Sequence, residues 1–214
     1  MKKTLAIILS IVCLIFAVGC SEKVTDTIQE RDGLAYLPNE TKPFTGVYII
    51  NYPNGQKYAE IHYKDGKKEG LETDWYENGQ KEIEGNYKDG KKEGLEITWW
   101  YENGQKKEED NYKDGKKEGL ATDWYENGHK KLEYNYKDGK LEGLGTAWFE
   151  NGQKESASNY KDGKLEGLSI WWYENGQKES ASNYKDGKLE GLTIRWDENG
   201  LIWAESNYKD DILQ

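Results

Sequence analysis

Thiols are nearly absent from this chain. Its 214 residues include two cysteines, Cys13 inside an apolar leader and Cys20 at the end of it. Beyond Cys20 there is no cysteine. That excludes a disulfide framework, a thiolate metal site and a cysteine nucleophile from the body of the chain. Histidine is as scarce. His62 and His129 stand in different segments with no acidic cluster at ligand spacing, so they read as surface residues and not as metal ligands. Basic residues are outnumbered: 30 Lys and Arg face 40 Asp and Glu, a formal charge of −10. Nucleic acid is excluded as a partner, because its binding rests on cationic neutralisation of phosphates. Long hydrophobic runs are missing except for Leu5–Val18, whose 14 residues fall short of the about 20 that span a membrane. Catalytic motifs are missing too. Gly85 to Lys92 spells G-x-x-x-x-G-K, but Lys92 stands where a phosphate loop needs Ser or Thr. The recurring pair Glu82 and Glu84 reads as a solvated face and not as an acid–base couple. The expectation is a protein that is not an enzyme and carries no cofactor.

Lys2, Lys3 and the short apolar run form a targeting leader and not part of a fold. Its end, Ala17-Val18-Gly19-Cys20, resembles the bacterial lipobox, with Ala17 in place of the usual Leu. The resemblance implies cleavage before Cys20, acylation of its sulfur and attachment to a membrane. Ser21 after the cysteine points, by the same resemblance, to the outer membrane. The expected organisation is a signal peptide over 1–19, a lipidated tether over 20–30, a cap half-repeat over 31–45 and a repeat domain over 46–210.

A mean hydropathy of −1.04 with 33% charged residues would suit a disordered chain. The 9 Trp, 16 Tyr and 3 Phe argue against it. So does a repeat. Tyr63, Tyr87, Tyr112, Tyr136, Tyr160, Tyr184 and Tyr208 recur every 24 residues, except for 25 between Tyr87 and Tyr112. Such a period means stacked units that each touch only their neighbours. Each unit holds two hairpin signals, Glu-Asn-Gly and Lys-Asp-Gly. The fold class expected is all-β: a coiled antiparallel β-meander of about seven 24-residue β-hairpins.

Side-chain alternation predicts the faces. Three-residue loops at both turns place Leu71, Thr73, Trp75, Ile83 and Tyr87 on one face, and Glu72, Asp74, Glu82 and Glu84 on the other. A β-bulge near Trp99 is expected to absorb the extra residue of the 25-residue unit. Trp75, Trp124, Trp148, Trp172 and Trp196 form an inward ladder. It either packs against the next hairpin or offers a platform to a sugar or choline. Trp171 falls instead on the charged face, and Ala157 and Ala181 replace Glu84, Glu109 and Glu133 there. With Ala147, Gly145 and Ser169 they make a charge-poor patch, a candidate contact site. The lysine row at the Lys-Asp-Gly edge, interrupted by Asp89 and Glu93, reads as a solvated edge that discourages aggregation.

From Phe44 to Tyr208 the motifs Y-x-N-G-Q-K and Y-K-D-G-K-x-x-G resemble the MORN repeats in their bacterial variant form. Proteins of that form are often catalogued as YwqK-like antitoxins. The resemblance implies the fold and leaves the partner open. Three functions remain: a lipid-anchored envelope protein that binds another protein, at the outer membrane or cell surface; a cytoplasmic antitoxin-like inhibitor; and a module for a glycan or lipid head group.

Overall fold

The computed structural model describes residues 22–100 and 103–214. The expected leader and the lipidation site Cys20 lie outside the described residues. One 18-stranded sheet carries the repeats, beside a two-stranded hairpin near the N-terminal end. From Gly46 onward each strand pairs antiparallel with its sequence neighbour. No helix occurs among the described residues. The all-β meander of short hairpins expected from the period is present.

One unit shows why the sequence folds this way. Strand Lys67–Trp75 runs into a loop and returns as Lys81–Lys88. The Tyr76 N–H donates to the Gln80 carbonyl, and the Gly79 N–H to the Tyr76 carbonyl. Three residues therefore make the loop, with Gly79 at φ 83°, a type I turn closed by a left-handed glycine. The Lys-Asp-Gly turn differs from expectation. Lys88 pairs with Lys91, so Asp89 and Gly90 alone make the turn. Both have positive φ, 50° and 81°, the signature of a two-residue type I′ hairpin.

A second correction follows from a bulge. Trp75 opposes Lys81, but Asp74 opposes Ile83 and Thr73 opposes Glu84. Glu82 is the extra residue, and it moves the return strand by one. Ile83 and Tyr87 thus share a face with Glu72 and Asp74. Glu84 joins Leu71, Thr73 and Trp75. The same shift recurs at Thr98/Trp99, so it does not absorb the extra residue of the 25-residue unit. There the Trp100 N–H reaches the Gln105 carbonyl, which makes the loop one residue longer than its copies. Trp99 therefore joins the ladder, and Trp100 takes the tyrosine position.

The polar segment after Ser21 is not simply a tether. Val24–Thr25 lies parallel to Gly46–Asn51 and covers the first strand's edge. Gln29–Arg31 pairs with Leu34–Tyr36. Behind that hairpin Ala35 (4% exposed) and Phe44 (3%) join Ala59 and Ile61 in a small apolar core, and Val47 is buried on the other face of the sheet. Elsewhere among the described residues no large side chain is fully buried.

Unit-to-unit hydrogen bonds replace a core. The Tyr52 hydroxyl donates to the Trp75 carbonyl at 2.8 Å, Tyr76 to Trp99, Tyr125 to Trp148, and Tyr173 to Trp196. At the other edge the Asp89 N–H donates to the Glu69 carboxylate at 2.8 Å, and Asp114, Asp138, Asp162, Asp186 and Asp210 repeat the bond to Glu93, Glu118, Glu142, Glu166 and Glu190. Glu93 is thus a turn-capping residue of the stack, more than an interruption in a lysine row.

Phe149 occupies a ladder tyrosine position without a hydroxyl. Phe149→Tyr supplies the missing donor for the Trp172 carbonyl and is expected to stabilise by about 1 kcal/mol. Thermal melting should rise by roughly 2–4 °C. Tyr125→Phe should lower it by a similar amount. An unchanged melting temperature in both variants would show that the hydroxyl bonds contribute nothing net.

Candidate binding surface

The two faces of the sheet are chemically different. On the tryptophan face the chain supplies its own partners. Lys57 bonds Glu60 at 2.5 Å, and Lys81 with Glu84, Lys106 with Glu109 and Lys130 with Glu133 make the same pair. The same lysines lie over the next indoles: Lys57 over Trp75 (5.6 Å), Lys81 over Trp99, Lys106 over Trp124 and Lys130 over Trp148. Each contact is worth about 0.5–1 kcal/mol at such exposure. These four indoles are therefore half-buried under neighbouring lysines and not turned into a core. Ala157 and Ala181 stand in the position of these glutamates, facing Ile170. They lie on the opposite side of the sheet from Trp171. The bulge that carries Glu155 and its copies is the physical reason, because it reverses the face of every residue after it.

Trp171, Ala147 and Ser169 do share a face. Trp171 opposes Ser156 on one side and Ser180 on the other. Ala147 opposes Ser156, and Ser169 opposes Ser158 and Ser182. Ser158 and Ser169 bond each other at 2.6 Å, both almost fully buried. These flanking side chains are too short to cover an indole, and Trp171 is left 43% exposed. In earlier units its row holds Asp74 and Asp123.

Around Trp171 the structure assembles residues that the patch reading missed. A cleft of about 590 Å³ is walled by Phe149, Trp171, Trp172 and Tyr173, with Glu155, Glu174, Glu179 and Glu198 at its rim. A second, of about 540 Å³, shares Trp171, Tyr173 and Glu179 with the first and is lined also by Ser180, Arg195 and Trp203. The Arg195 guanidinium sits 5.7 Å from the centre of the Trp203 ring. Burial and the nearby Glu179, Glu198 and Asp197 raise the Tyr173 hydroxyl above its ordinary pKa. The signal for Trp203 is present in the sequence, since it replaces the Glu82, Glu155 and Glu179 of earlier units. On the tryptophan face the exposed leucines 71, 95, 120, 144, 168 and 192 form a stripe; the expected faces had placed Leu71 inward.

His62 lies 3.3 Å from Glu22 and 3.5 Å from Glu60, and His129 bonds the Glu150 carbonyl. No group of three or more potential metal ligands occurs among the described residues. On the Trp171 face of the early units, burial first, then Glu72, Glu82 and Glu96 against Lys68, pushes Asp74 up to about 6. A carboxyl with a raised pKa binds its proton more tightly in the native state. Its contribution to stability therefore falls as pH rises from about 4 to about 6, and stays low above that. Asp74→Asn should raise stability by about 1 kcal/mol near neutral pH, a value discounted for partial exposure. Near pH 4 the gain should vanish. A gain independent of pH, read by urea melts, would count against charge burial at Asp74.

The MORN repeat variant family model matches seven segments: residues 44–65, 68–89, 94–114, 117–138, 141–162, 165–186 and 189–210. No curated protein matches the chain significantly. The two neighbouring tryptophans should separate on substitution. Trp171→Ala is expected to change stability by no more than about 0.5 kcal/mol, as an exposed side chain does. Trp172→Ala, half-buried, should cost about 2 kcal/mol. Chemical denaturation of both variants checks this, and a larger loss for Trp171→Ala would invert the assignment of faces.

Proposed function

The chain belongs to the MORN repeat variant family, and from that premise we propose that it is a non-enzymatic scaffold, lipid-anchored in a bacterial envelope, that binds a protein partner. The observation that carries the binding reading is Trp171, a large aromatic left exposed between serines on a sheet whose other tryptophans are mostly half-covered. Exposed aromatic side chains beside a cleft suit contact energetics, because a few such residues supply most of the free energy of an interface. The repeat architecture supports the reading in a second way. Units that touch only their neighbours tolerate a locally altered surface without loss of the stack.

The anchor rests on the run before Cys20. Cys20 carrying two or more acyl chains would hold the acidic repeats at a membrane surface, where a single chain would bind only marginally. Two experiments test the pair of statements. A photo-crosslinking residue introduced at position 171 should yield a discrete, protease-sensitive adduct in cells. The same residue at Glu205, on the opposite face, should yield none. Adducts of equal intensity from both positions would remove the case for a defined contact. Metabolic labelling with a fatty-acid analogue should mark the protein, and Cys20→Ala should abolish the mark. Labelling that survives Cys20→Ala would refute the anchor.

A further inference from the structure

The cleft beside Trp171 differs from units three and four in one respect that bears on what it can receive; unit two already carries a glutamate, Glu82, at the same position. At the bulge position, units three and four carry Lys107 and Lys131. Their ammonium groups lie over the turn-edge aromatics, Lys107 over Trp100 at 5.2 Å and Lys131 over Tyr125 at 5.6 Å. In these units the chain caps its own aromatic rings with its own cations. In the next two units the same position holds Glu155 and Glu179, beside Phe149 and Tyr173. The cap is gone and the charge is reversed. Trp171 adds a further aromatic wall where units two and four have Asp74 and Asp123.

The cleft therefore presents aromatic walls and four glutamates, with no lysine or arginine in its lining. None of Glu155, Glu174, Glu179 and Glu198 takes part in an ion pair among the described residues. Elsewhere lysines pair with glutamates along the sheet. Tyr173 is held in place by its bond to the Trp196 carbonyl, so part of the wall is fixed before any ligand arrives. A volume of about 590 Å³ admits a side chain and its flanking backbone.

Building on the protein-binding reading, we infer that this cleft receives a lysine or arginine side chain of the partner, in the place that the chain's own Lys107 and Lys131 fill in earlier units. The aromatic faces attract the cation through their quadrupoles, and the rim carboxylates neutralise it. The formal charge of −10 favours encounter with a basic segment over any acidic one. The neighbouring cleft shares Trp171, Tyr173 and Glu179 with this one and adds Arg195 and Trp203.

The test uses the full chain in mild non-ionic detergent, titrated with a fluorescent hexalysine peptide. Salt is held at about 0.15 M, where charges more than about 8 Å apart are largely screened. Saturable one-to-one binding is expected. Trp171→Ala and Glu179→Gln should each weaken it by about tenfold, the scale of a partly desolvated cation–π contact. Glu205→Gln removes the same charge from the other face and should change it less than about twofold. Equal losses in Glu179→Gln and Glu205→Gln would reduce the attraction to diffuse charge and overturn the inference. Tighter binding of a neutral chitohexaose probe would overturn it in favour of a glycan. If hexalysine fails to bind while the crosslink at position 171 persists, the basic side chain is wrong and the protein contact stands. Failure of both removes both.

Discussion

Every part of this molecule depends on the contact between one hairpin and the next. Most of the sheet has no second layer above it, and beyond the small core around Phe44 no large side chain among the described residues is fully buried. Apolar burial, which drives the folding of ordinary domains, is thus supplied piecemeal. The tyrosine-to-carbonyl bonds at one edge and the glutamate-to-turn bonds at the other span one unit each. Between them the lysines lie over indoles and tyrosines of the adjoining strand. Each contact is worth on the order of 1 kcal/mol, and each requires the next unit in register. That is why the motif tolerates so little change at Trp, Tyr, Asn-Gly and Lys-x-Glu, and so much at the positions between.

Much of this is legible in the sequence. The period gives the number of units, and Asn-Gly after a tyrosine gives the three-residue loop with its left-handed glycine. The faces are not legible, for a specific reason. An odd residue can be placed in a turn or in a strand with the same total length. Counting assigns it to the Lys-Asp-Gly turn, whereas the chain puts it at Glu82 and its copies as a bulge. Both choices preserve the 24-residue period, and only the hydrogen-bond register tells them apart. The same ambiguity hides Trp99, because the extra residue of the longer unit lies in its loop and not in its strand.

The candidate surface is half legible by the same logic. Trp171, Ala147 and Ser169 all lie before the bulge of their hairpins, so parity puts them on one face correctly. Ala157 and Ala181 lie after it and are carried to the wrong side. Their substitution for glutamate has another consequence. Lys154 and Lys178 lose the ion-pair partner that Lys81, Lys106 and Lys130 keep. The ammonium of Lys178 nevertheless remains over Trp196 at 5.8 Å. The indole contact at Trp196 thus does not require the glutamate, whereas Lys154 makes no such contact with Trp172 among the described residues.

This separation of roles explains how units can diverge along one stack. Beside the backbone ladder, the side-chain bonds that hold adjacent hairpins together sit at the two turn edges, and they persist into the last units: Tyr173 still reaches Trp196, and Glu190 still caps Asp210. The face between the edges carries little of that load. In the early units it is charged, with Glu72, Asp74, Glu96 and Asp123 along neighbouring strands. In the later units serines, glycine and alanine occupy the corresponding rows, and Gly145 leaves room for Tyr134 and Tyr160 to meet edge to face at 5.9 Å. Removing charge lowers the desolvation cost that raises the pKa of Asp74 and Asp123, and it clears space for large rings at Trp171 and Trp203. A repeat protein with nearest-neighbour energetics can therefore let the surface of two or three units diverge while the rest maintain register.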